Sequence, residues 1–143
     1  MPGMGYEGVV KFVMDIMTSY GINACPPLLV GIGVDTSIDV ASLLSKKALM
    51  RPLGSANPNG RAALTEKLLE DGINKIGLGP QGMSGASSVM GVHIENCARH
   101  PSVIAVAVIS YPSANLGKNV LNVSFSSIEN TGAPGFRPSS YEK

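Results

Sequence analysis

The chain has 143 residues, 44% of them hydrophobic and 15% charged, with 11 Lys and Arg against 10 Asp and Glu for a formal charge of +1. That length fits one domain with a proper buried core, and so few charges predict that part of the surface is hidden against a partner. The even balance, with no basic run, argues against nucleic acid; Leu28–Val34 and Val103–Ile109 are too short to cross a bilayer; the N-terminus has no leader pattern, so a cytoplasmic location is expected.

Tyr6–Tyr20 carries Val9, Val10, Phe12, Val13, Ile16 and Met17 on one broad face at helical spacing, which predicts a buried amphipathic helix stopped by Gly21. Cys25-Pro26-Pro27 forces an extended, stiff entry into Leu28–Val34. That strand is apolar on both faces, as a central strand covered by helices should be. Asp35, Thr36 or Ser37 caps the next helix, whose inward face is expected to hold Val40, Leu43, Leu44 and Ala48, with Lys46 and Lys47 at its solvated end. Arg51–Gly60 reads as a loop, and Arg61–Asn74 as a helix with Leu64, Leu68, Leu69 and Ile73 inward.

Gly77-Leu-Gly-Pro-Gln-Gly-Met-Ser-Gly85 follows, with four glycines and a proline. Such density suits backbone at positive φ or in very close approach, and so either a tight helix-to-strand corner or a loop that holds a ligand. Strands are expected at Ala86–Ile94, Val103–Ser110 and Val120–Ile128, the second of them central, before an irregular tail from Thr131. The order points to one mixed α/β layer structure, with residues 1–130 as a single domain and 131–143 as tail. Of the two cysteines, Cys25 sits on the stiff corner; Cys97 reads as a small buried hydrophobe. A disulfide between them is disfavoured in a reducing compartment. Gly31-Ile-Gly33 lacks the third glycine of a dinucleotide fingerprint, and no glycine turn leads into Gly-Lys-Ser/Thr. The residues alone leave open a small-molecule-binding domain that takes an anion at the glycine loop, or a structural subunit.

The succession Asn23-Ala-Cys-Pro-Pro27, Val30-Gly-Ile-Gly33, Lys46-Lys-Ala-Leu49, Asn57-Pro58, Gly77-Leu-Gly-Pro-Gln-Gly82, Val92-His-Ile94, His100 and Val106-Ala-Val108 resembles the alpha region of the class I fumarase and tartrate dehydratase family. The likeness runs in register from about Tyr6 to Val108 and covers the C-terminal half of that region. It implies a small mixed sheet flanked by helices and an oxygen-sensitive iron–sulfur hydro-lyase. In such enzymes three cysteines hold a [4Fe–4S] cluster that acts on a hydroxydicarboxylic acid. Cys25 matches the second cluster ligand and His100 the histidine that contacts a substrate carboxylate; Gly79, Pro80, Gln81 and Gly82 are assigned to lining the site. The implied partners are a beta-type subunit and the upstream alpha half, or further copies of the chain.

The departures are specific. The family's first cysteine would lie upstream of Met1, and Pro112 stands where its third belongs. The following arginine falls near Leu116, and a glycine pair is replaced by Asp35-Thr36. Cys97, at a position without a family cysteine, is the one substitute ligand available. Two readings follow: a piece of a split hydro-lyase whose site other chains complete, or a non-catalytic scaffold that keeps the fold without the cluster.

Overall fold

The computed structural model describes residues 5–24, 26–97, 104–112 and 122–128. In order these form α1 (Gly5–Tyr20), a 3-10 turn (Gly21–Ala24), β1 (Leu28–Asp35), α2 (Ile38–Leu49), α3 (Gly60–Ile76), a second 3-10 turn (Pro80–Gly82), β2 (Val89–Asn96), β3 (Ile104–Pro112) and β4 (Asn122–Ile128). The mixed α/β architecture expected from the sequence is present. One sheet has the order β2-β1-β3-β4, with β2 parallel to β1 and the other neighbours antiparallel. The tail from Thr131 lies outside the described residues.

All eight residues of β1 are buried, because helices cover both its faces. On one face Leu28, Val30, Ile32 and Val34 meet Val9, Val13 and Met17 of α1 and Ala62, Leu69 and Ile73 of α3. On the other, α2 presses directly onto Gly31 and Gly33. A Cβ at Gly33 would lie 1.9 Å from the Ala41 carbonyl oxygen, and one at Gly31 2.3 Å from that of Ser45. The Gly-x-Gly strand therefore exists to seat a helix, whose facing residues Ala41, Ser45 and Ala48 are correspondingly small.

The helix faces differ from expectation in three leucines. Leu43 is 66%, Leu64 73% and Leu68 59% exposed. Close seating turns α2 so that Ala41, Leu44, Ser45 and Ala48 point inward, and α3 buries Thr65 and Glu66 in place of Leu64 and Leu68. Ser37 occupies the cap position of α2 without capping it; its hydroxyl turns to the Asp39 carboxylate. Asn59 caps α3, accepting from the Arg61 and Ala62 amides at 3.0 and 3.3 Å.

Candidate functional site

Four segments meet at the N-terminal end of β1. Pro26, the residue bonded to Cys25, accepts a 2.8 Å hydrogen bond from the Gln81 amide. The Leu28 amide donates to the Ser88 carbonyl at 3.0 Å. Leu28 is also the register partner of Pro112, so Pro112 adjoins the Pro26 corner. Leu78 of the glycine loop packs on Gly21, where a Cβ would come within 2.9 Å of its Cδ1. Sequence-assigned Gly79, Pro80, Gln81 and Gly82 are thus brought to Pro26. Cys25 and His100 lie outside the described residues.

The glycine loop is closed on itself. Gly77 ends α3 in the left-handed conformation at φ 73°, and Asn74 Oδ1 accepts from the Ser88 and Val89 amides at 2.8 and 2.9 Å, fixing where β2 begins. Gly79 (φ 64°, ψ −179°) occupies backbone space that glycine alone uses freely; a Cβ there would lie 2.3 Å from the Ser84 carbonyl carbon. The amides of Gly82, Met83, Ser84 and Gly85 bond to carbonyls of Gly79, Pro80, Leu78 and Gly77, and that of Gly79 faces Ser88 Oγ. The loop therefore has few amides left to donate to an anion or to sulfur. It offers the Pro26 clamp and the exposed Gln81 and Met83 side chains. Gln81 holds φ 53°, a conformation that costs a non-glycine residue of order 1 kcal/mol.

Cys97 is at the other end of β1. Its amide donates to the Val34 carbonyl at 3.3 Å, and its side chain is exposed, correcting the buried position expected of it. β2 runs out of core at this point, since Glu95 and Asn96 are already part-exposed. From Pro26 to Cys97 the molecule spans the whole of β1, about 23 Å at roughly 3.3 Å per residue. Cys97 is therefore far from the Pro26 corner and from Pro112. With Pro112 unable to ligate, the donor set does not fit a three-thiolate cluster held by this chain alone. Among the described residues no group of three His, Cys, Asp or Glu is placed to hold a metal ion.

Sequence reasoning missed a polar cluster at the outer edge of β2. Glu66 Oε1 accepts from Arg51 at 2.7 Å, from Asn57 at 2.9 Å and from the Ile94 amide at 2.7 Å, while Asn57 donates to the Ile94 carbonyl at 2.7 Å. The Glu66 and Arg51 side chains are 9% and 14% exposed. Three donors converge on that one oxygen, which leaves it little lone-pair capacity for a further partner. His93, buried, holds Nδ1 at 3.1 Å from the Ala48 carbonyl. Beside the cluster is a groove of about 240 Å³ lined by Ser55, Glu66, Lys67, Glu70, Val92 and His93 among others. The available signal was Glu66 on an inward helical position, a place where a carboxylate needs buried donors.

A mixed sheet with a proline-stiffened cysteine corner, clamped by a Gly-Pro-Gln-Gly loop, belongs to a defined class: residues 1–115 match the model of the fumarate hydratase (Fumerase) family, and the chain is a member of that family. Among its relatives, the L(+)-tartrate dehydratase alpha subunit of Escherichia coli K12 is 59% identical over 108 residues, which are 76% of this chain and 36% of that protein. The corresponding subunit of Shigella sonnei shows the same identity and coverage. A protein of Methanocaldococcus jannaschii, provisionally named as such a subunit, is 36% identical over 107 residues, 75% of this chain and 38% of its own length. The chain thus spans little more than a third of the relatives it matches.

Proposed function

We propose that the chain is a subunit or piece of an iron–sulfur-dependent hydro-lyase of the fumarate and tartrate dehydratase kind, hydrating or dehydrating a hydroxydicarboxylic acid in a site that partner chains complete. The observation that carries this reading is the convergence of Pro26, which follows Cys25 in sequence, the Gly79–Gly82 loop and Pro112 at one end of the sheet, in a chain matched to the family through residue 115. Cys25 is this chain's thiolate for a [4Fe–4S] cluster, His100 binds a substrate carboxylate, and the loop lines the site. The first ligand comes from the upstream part of an alpha-type subunit, a substitute for the third, whose place Pro112 takes, from another chain, and further carboxylate-binding groups from a beta-type subunit; the tartrate dehydratase relatives are themselves named as alpha subunits. The assembly is cytoplasmic and acts without nucleic acid or membrane; among the described residues no helix is long and apolar enough to cross a bilayer.

The test is anaerobic co-expression with those partners, followed by iron and sulfide analysis and an EPR spectrum. Cys25→Ser is expected to abolish iron retention, and His100→Ala to keep the iron while raising KM for the dicarboxylate. Full iron and activity in Cys25→Ser would sink the assignment. A second reading, a scaffold subunit that has lost the cluster, is favoured by Pro112 beside Leu28; absence of iron in every assembly would establish it.

A further inference from the structure

β2 is an edge strand of the sheet, and one stretch of its outer side is open. Along such a strand the backbone groups turn alternately toward the neighbouring strand and away from it. The Cys97 amide bonds inward to the Val34 carbonyl of β1, whereas Ile94 turns its amide to Glu66 and its carbonyl to Asn57. Val92, in the same phase as Ile94, therefore directs its amide and carbonyl outward, and among the described residues neither group has a partner. The open stretch is closed at one end by Asn74 on the Ser88 and Val89 amides and at the other by the Glu66 cluster on Ile94. Between these stops Met90–His93 forms one wall of the groove of about 240 Å³, over about 13 Å at roughly 3.3 Å per residue.

α3 supplies a second wall through Ala63, Lys67 and Glu70, and Gly54, Ser55 and Ala56 a third. Exposed leucines continue both of these walls. Leu64 and Leu68 follow Ala63 and Lys67 by one residue each, a turn of about 100° on the helix, and stand largely in solvent. Leu53, next to Gly54, is half-exposed and reaches over β2, where a Cβ on Gly91 would lie 3.1 Å from its Cδ2. A recessed strand edge with free backbone groups and apolar margins suits an extended peptide segment, whose main chain continues the ladder while apolar side chains cover the leucines. A second copy cannot bring its own β2 here, because its Val92 is recessed between the same walls. The chain spans 36% of the Escherichia coli K12 alpha subunit that it resembles, and the larger remaining part of that subunit is available to cover such a face.

We infer that the groove beside Val92 is the docking surface for the remaining part of an alpha-type subunit, which pairs an extended segment with β2 at Val92 and covers Leu64 and Leu68 with apolar side chains. The identity of the partner rests on the function proposed above.

The test is to co-express the chain with the part of the E. coli K12 alpha subunit outside the matched residues and to compare the complex with the chain alone by amide hydrogen exchange. The Val92 amide is expected to exchange fast in the chain alone and about a hundredfold more slowly in the complex, while the Gly91 and His93 amides, turned toward β1, are protected in both. Leu64→Lys combined with Leu68→Lys, at exposed positions, is expected to leave the fold intact and weaken the complex by about tenfold or more. A Val92 amide that is already slow in the chain alone, or that stays fast in the complex, overturns the inference. So does wild-type affinity in the double variant, or failure to form a complex. Iron analysis of the same complex judges the proposed function separately. Iron with a fast Val92 amide removes the docking surface and leaves that function standing; a protected Val92 amide without iron keeps the docking surface and favours the scaffold reading.

Discussion

At the scale of single residues, the glycines that matter are those with no room for a methyl group. Gly33→Ala would drive a Cβ against the Ala41 carbonyl, so a loss of about 3 kcal/mol or more is expected in urea denaturation, at the upper end of overpacking costs. Gly79→Ala adds backbone strain to a clash with Ser84; it is expected to release the loop from Pro26, read as faster hydrogen exchange at the Gln81 amide. Asp39 makes a subtler case. The Ser37 hydroxyl, and then the Asp39 and Val40 amides, hold its carboxyl below the ordinary value. A depressed folded-state value contributes stability that is present above the unfolded pKa and is lost as pH falls through the lower folded one. Ser37→Ala should move the Asp39 titration back up, as NMR would show. The sequence made Cys25 visible as a residue on a stiff corner, because proline acts locally. It gave Cys97 the wrong environment, because exposure there depends on β2 ending within two residues of the core.

At the scale of elements, α1, β1 and the loop at Arg51–Gly60 were legible from periodicity and turn residues. Helix boundaries follow local chemistry, and Asn59→Ala is expected to cost about 1 kcal/mol through loss of the α3 cap. What local pattern could not give is rotation about the helix axis. α2 turns to set small residues against Gly31 and Gly33, leaving Leu43 outside; α3 turns to deliver Glu66 to the edge of β2, leaving Leu64 and Leu68 outside. β2 likewise begins at Val89 and not at Ala86 because Asn74, at the end of α3, takes up the Ser88 and Val89 amides. Substituting Leu64 or Leu68 by lysine in the isolated chain should change its stability by no more than about 0.5 kcal/mol, as for other surface positions.

At the scale of the whole molecule, strand order decides what the motifs can do together. The family motifs were readable one by one, but that the glycine loop and Pro112 meet beside Pro26 follows only from β2 running parallel to β1 and β3 returning antiparallel. The buried cluster on β2 also acts at this scale. Arg51→Ala would strand the Glu66 carboxylate and is expected to cost about 3 kcal/mol, while Arg51→Ala with Glu66→Leu should recover part of that loss; both are measurable by urea denaturation. The same cluster makes the sheet asymmetric. Ile94 has its outward amide and carbonyl already occupied, and the register slip that leaves Met90 without a partner on β1 distorts the strand just before it. A strand from another molecule that approached this edge of the sheet would find the Ile94 groups already taken by Glu66 and Asn57, so the cluster that fixes the loop and α3 also seals β2 against pairing at that point.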